Sequence, residues 1–138
     1  MNRLTTATSL LPSLPSGSRI LIIRLRSIGD ILLLTPALRR LKEWRPDLHV
    51  AVLVEYPFRE LLENNPHVDE LLDLGQSTGL AQLGSRLGMI RQIRKGKFQL
   101  AINLHGGPTS ATLTDWSGAK WKAGFGHFRR PGIYDFLI

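Results

Sequence analysis

Cysteine is absent from the 138-residue chain, which excludes disulfides, thiolate metal sites and a cysteine nucleophile. Its absence agrees with a reducing compartment. Long apolar runs are also missing. The longest unbroken one covers residues 50–54, far short of the ~20 needed to cross a bilayer. Residues 1–18 hold one early arginine and no solid apolar block, and Pro12 and Pro15 interrupt the only candidate, so the stretch reads as a flexible leader rather than a signal peptide. Acidic residues are scarce: 11 Asp and Glu face 18 Lys and Arg, a net charge of +7. That surplus suits anionic partners such as phosphates, nucleic acid or acidic lipid, or else a plain basic surface. Aromatic residues make up only 7% and do not interleave with the basic clusters, which argues against stacking on single-stranded nucleic acid. His49, His67, His105 and His127 show no metal-ligand spacing, so no metal is expected. Neither the dinucleotide fingerprint G-x-G-x-x-G nor the phosphate loop G-x-x-x-x-G-K-[ST] follows the first apolar run.

What is present is a rhythm of strand and helix. The continuous run Ile20-Leu21-Ile22-Ile23 marks a strand over 19–25 buried on both faces. Leu34, Leu38 and Leu41 then recur at helical spacing, opposite Arg39, Arg40, Lys42 and Glu43, until Pro46. A second strand covers 49–54, followed by a short helix in "YPFRELLENNP" and a weaker third strand over 68–74. Leu80, Leu83, Leu87, Ile90 and Ile93 predict a helix over 80–94, with Arg91 and Lys95 on one solvated face. A fourth strand over 99–104 runs into "HGGPTSA", and "WKAGFG" predicts a fifth. The alternation implies βαβ units, a mostly parallel sheet and right-handed crossovers with helices on both faces. One domain over 19–138 suits the length. The chain closes on the apolar "FRRPGIYDFLI", which reads as if a further element should follow.

Ligands in such sheets bind beyond the carboxyl ends of the strands. "LRSIGD" occupies that position after the first strand, and its Gly29 permits a close backbone approach. Asp30 has two readings: a helix N-cap, or a carboxylate placed to take a proton from a substrate hydroxyl. Thr35, followed by Pro36, is a competing helix start, since a helix begun at Asp30 must absorb a proline. Arg24 and Arg26 flank the turn and could grip phosphate or carboxylate. His105, Gly106 and Gly107 follow the fourth strand, where a ligand could meet backbone amides or a lone histidine could serve only as a hydrogen-bonding group. The remaining basic clusters are Arg39 with Arg40, residues 86–97, and Arg129 with Arg130.

Three blocks in order, "ILIIRLRSIGDILLLTPALRRLKEWRPD", "HVAVLVEYPFRELLENNPHVDELL" and "FQLAINLHGGPTSATLTDWSGAKWKAGF", resemble the N-terminal half of bacterial ADP-heptose:lipopolysaccharide heptosyltransferases, glycosyltransferase family nine. The resemblance implies an α/β, Rossmann-like parallel sheet flanked by helices, half of a two-domain GT-B glycosyltransferase. It implies inverting transfer of heptose from the donor ADP-heptose to the lipopolysaccharide inner core, with neither an essential metal nor a cofactor. Asp30, the acid of the S-x-G-D turn, becomes the general base toward the acceptor, beside Ser27 and Gly29. Arg24 and Arg26 become candidates for holding the anionic acceptor, and His105 and Gly106 match the loop after the fourth strand. The implied location is the cytoplasm, with peripheral contact at the inner face of the inner membrane. The ADP-sugar domain of the family is missing from these residues, so the chain is expected to bind acceptor but not to catalyse alone. Two further readings are a non-enzymatic basic domain that binds anionic surfaces or polymers, and a nucleotide-binding oxidoreductase domain, against which the missing glycine fingerprint weighs.

Overall fold

The computed structural model describes residues 7–75, 79–125, 127–128 and 130–138. Arg129 of the last basic pair and the first six residues of the expected leader lie outside the described residues. At the centre is β1 (Arg19–Ile23), which pairs in parallel with β2 (His49–Glu55) on one side and β4 (Leu100–Asn103) on the other. With β3 (Glu70–Leu74), β5 (Trp121–Gly124) and β6 (Phe136–Leu137), the order is β3-β2-β1-β4-β5-β6, all parallel. This doubly wound order changes direction between β1 and β4, where ligands of open α/β sheets bind. β6 was not anticipated: two residues are too few for a pattern, and only pairing with β5 makes them a strand.

The unbroken apolar runs are explained by the two faces of the sheet. Ile20 and Ile22 of β1, with Val50, Val52 and Val54 of β2, pack under α2 (Ile28–Trp44). The alternate residues Leu21, Ile23, Ala51 and Leu53 pack under α3 (Gly79–Lys95), and Leu113 of α4 (Pro108–Asp115) joins that second core. Beyond β2 the expected short helix is a 3-10 helix, Tyr56–Leu61.

α2 begins at Ile28 with Ser27 as its N-cap residue, not at Thr35. Pro36 therefore lies inside it and cannot donate to the Leu32 carbonyl four residues back. The Thr35 hydroxyl donates to that carbonyl instead, at 2.7 Å. The flexible-leader reading is corrected for residues 7–18. Ala7–Ser13 form a helix, α1, with Leu10 and Leu14 buried in the core under α2. Sequence reasoning discounted this stretch for its prolines, but Leu10 within the helix and Leu14 just after it both turn into the core. Arg45 donates to the carbonyls of Leu11 (2.9 Å) and Leu14 (3.1 Å), supplying partners that the helix end lacks. Asp47 accepts from the Gly17 amide at 3.0 Å.

Candidate functional site

Beyond Ile23 the first strand continues as a tongue between its neighbours. Arg24 donates its amide to Leu53, and the Glu55 and Leu104 amides donate to the carbonyls of Leu25 and Ile23. Leu25 is buried in the core under α3, so alternation along the extended chain puts Arg24 and Arg26 on the opposite face, and Arg24 meets Asp30 of α2 there. The Arg26–Ser27 peptide is cis. The chain then enters α2, where Ser27 and Asp30 stand at N-cap and third position. The N-cap reading of Asp30 is thereby corrected: Ser27 is the N-cap residue, and although S-x-x-D is the spacing of a capping box, the Ser27 hydroxyl donates to the Asp30 carboxylate at 3.1 Å rather than capping a helix amide.

Asp30 also forms an ion pair with Arg24, Nη2 to Oδ2 at 2.6 Å, while its side chain stays 45% exposed. The Arg24 guanidinium holds the carboxyl below the usual aspartate value, the Ser27 hydroxyl adding to the effect. Arg24 bonds the Leu104 carbonyl as well, so one guanidinium ties the end of β4 to the start of α2. A cavity of about 320 Å³ opens beside this pair, walled by Leu33, Leu34, Ala37, Leu104 and Phe125. Arg26 is separate from it: its side chain is 61% exposed and meets Glu55 at 3.4 Å. Both arginines expected to grip an anion thus already face a carboxylate.

His105 approaches from the β4 side. Burial and then the positive charges of Arg24 and Arg26 lower its pKa, which favours the neutral imidazole. Its amide donates to Asn103 at 2.9 Å. Asn103 is fully buried, and its side-chain amide donates to Tyr134 at 2.8 Å and to Ser110 at 3.3 Å. This network, which sequence reasoning missed, pins the loop after β4 to the last segment of the chain. Gly106 has a packing reason of its own, since a Cβ there would stand 3.2 Å from the Phe128 ring. Gly29 meets no such crowding: nothing lies within 4 Å of an added Cβ. Among the described residues no cluster of three His, Asp or Glu could hold a metal ion, and no helix is long and apolar enough to cross a membrane. The site therefore joins an ionised acceptor oxygen, a cation that fixes it, and an apolar wall. It is suited to orienting a hydroxyl and accepting its proton.

No family model matches the chain. Lipopolysaccharide heptosyltransferase 1 of Campylobacter coli is 27% identical over 96 residues, 70% of this chain and 28% of that protein. Lipopolysaccharide heptosyltransferase 3 of Escherichia coli is 28% identical over 114 residues, 80% of this chain and 33% of that protein. The chain thus spans about a third or less of the curated relatives it matches. A glycosyl transferase family 9 structure from Veillonella parvula superposes with a TM-score of 0.73 at 27% identity, over 80% of this chain and 32% of that one. The E. coli heptosyltransferase WaaC, solved with ADP-2-deoxy-2-fluoro heptose, gives a TM-score of 0.74 over 87% of this chain and 42% of that one; at 21% identity it bears on the fold alone. In sequence and fold the chain is similar to part of a family 9 heptosyltransferase, with the Rossmann-like sheet of a GT-B glycosyltransferase.

Proposed function

We propose that this chain forms the acceptor side of a heptosyltransferase that moves heptose from ADP-heptose to the lipopolysaccharide inner core. The observation that carries the reading is the Asp30 carboxylate at the carboxyl edge of the sheet, fixed by Arg24 at 2.6 Å and open to a cavity. Asp30 accepts the proton of the acceptor hydroxyl as its oxygen bonds to the anomeric carbon. The bond from that carbon to the diphosphate breaks with its electron pair leaving on ADP, and attack from the opposite face inverts the centre. A carboxylate of lowered basicity takes the proton late, once the new bond has made the hydroxyl acidic. Arg24 acts on the acceptor through Asp30. Arg26, more exposed, offers its free edge to acidic groups of the inner core, and the backbone of Ser27, Gly29 and the His105-Gly106 loop borders the approach. No metal or cofactor is invoked. The groups that hold the ADP-sugar belong, on this reading, to the part of the relatives that these residues do not span. The reaction is cytoplasmic, at the inner face of the membrane that carries the acceptor.

A calorimetric titration with a soluble inner-core fragment at moderate salt, with Asp30→Asn in parallel, tests this. Saturable binding that changes with the Asp30 substitution is expected. A folded chain that ignores the fragment, or whose binding is indifferent to Asp30 and vanishes steeply with salt, would leave a basic anion-binding domain in its place.

A further inference from the structure

The apolar spacing that marks α3 as a helix does not mark its buried face. Met89 and Ile93 are its buried residues, whereas Leu80, Leu83 and Leu87 are 88%, 57% and 50% exposed. At 3.6 residues per turn, these leucines share one outward stripe of about 80° with Arg91 and Arg94. Lys95 lies beside the stripe. Scattered exposed leucines are ordinary on a soluble surface. Three on one stripe, continued by cations, are not scattered.

The charge on α3 is one-sided. It carries Arg86, Arg91, Arg94 and Lys95 and no acidic residue. Among the described residues none of the four forms an ion pair. Arg86 is tied to the Thr109 hydroxyl and Arg94 to the Trp116 carbonyl, while Arg91 and Lys95 have no such partner among the described residues. A second copy is a poor occupant, because pairing two such helices sets cation against cation. A partner that offers both hydrocarbon and a dense anionic surface matches the stripe along its whole length.

We propose that α3 is a membrane-docking helix that meets an anionic bilayer at a tilt, with its leucine-bearing N-terminal half the deeper. Leu80, Leu83 and Leu87 enter the acyl region while Arg91 and Lys95 meet lipid phosphates. α3 leaves the carboxyl end of β3, so its leucine-bearing half lies toward the same edge of the sheet as Asp30. Docking there holds the Asp30 edge at the membrane surface, where a glycolipid presents its sugars. The proposal names the surface behind the peripheral contact suggested above, yet it rests on exposure and charge alone and does not require glycosyl transfer.

The test is flotation of the full chain with sugar-free vesicles, either phosphatidylglycerol mixed with phosphatidylethanolamine or phosphatidylcholine alone. Two variants are compared: a triple Leu80→Ser, Leu83→Ser, Leu87→Ser change and a double Arg91→Glu, Lys95→Glu change. All five positions are exposed, so circular dichroism should show the variants folded. The wild-type chain is expected on the anionic vesicles and at least tenfold more weakly on the neutral ones. Each variant should bind anionic vesicles at least tenfold more weakly than wild type. Equal binding by either variant, no lipid preference, or no vesicle binding at all would overturn the proposal. So would a vesicle-indifferent dimer that the leucine substitutions convert to monomer. Because the vesicles carry no inner-core sugar, failure here leaves the calorimetric test of Asp30 untouched.

Discussion

Arg24 concentrates three duties in one side chain: it closes the end of β4, fixes the start of α2 and lowers the pKa of Asp30. Since the folded pKa of Asp30 lies below its unfolded value, the pair contributes stability above the unfolded value and loses it as pH falls through the folded one. At neutral pH the carboxylate is fully ionised. Arg24→Gln should raise the Asp30 pKa toward that of an ordinary aspartate, as read by carboxyl-carbon NMR titration. An unmoved midpoint would show that Ser27 alone sets it. Gly124 provides a second test, of packing rather than charge. An added Cβ there would stand 2.7 Å from the Tyr134 ring, itself buried and bonded to Asn103. Gly124→Ala should cost about 1–3 kcal/mol by overpacking, measured by urea unfolding. A cost near zero would mean that the ring swings aside freely.

Among the elements, α1 depends most on side chains borrowed from elsewhere. Seven residues are too few to hold a helix unaided. Its packing through Leu10 and Leu14 is completed by Arg45 on its final carbonyls. Arg45→Ala should strip hydrogen-exchange protection from the amides of Leu11, Ser13 and Leu14 while β1 and β2 keep theirs; unchanged protection would show that packing alone suffices. The strands were legible in the sequence because a parallel sheet covered on both faces demands unbroken β-branched and leucine runs, as at 20–23 and 50–54. α1 was not legible, because its support comes from Arg45 and Asp47, some thirty residues away. α3 was legible as a helix but its buried face was not, since periodicity counts apolar residues without knowing which neighbour arrives. At the site, Asp30 stood out from its place after a strand and Gly29. Its Ser27 bond was readable in the S-x-x-D spacing, whereas the Leu104 carbonyl and the Glu55 partner of Arg26 emerge only from the fold.

At the scale of the whole molecule, stability and function occupy different surfaces. Leu21 is fully buried at the centre of the sheet, and Leu21→Ala should cost about 2–5 kcal/mol in urea unfolding. Leu83→Ser, on the outward stripe of α3, should stay within about 0.5 kcal/mol. If the two costs were similar, that stripe would be packed rather than free. The central place of β1 has one further consequence, which concerns synthesis. β2 follows β1 closely, but β4 reaches Ile20 only through Leu100, about 80 residues later. At ~5–20 residues per second, a ribosome takes roughly 4–16 s to make that stretch. Throughout that interval one edge of the innermost strand has no pairing partner of its own chain, and β2, although made later, is enclosed by β3 before β1 is enclosed by β4.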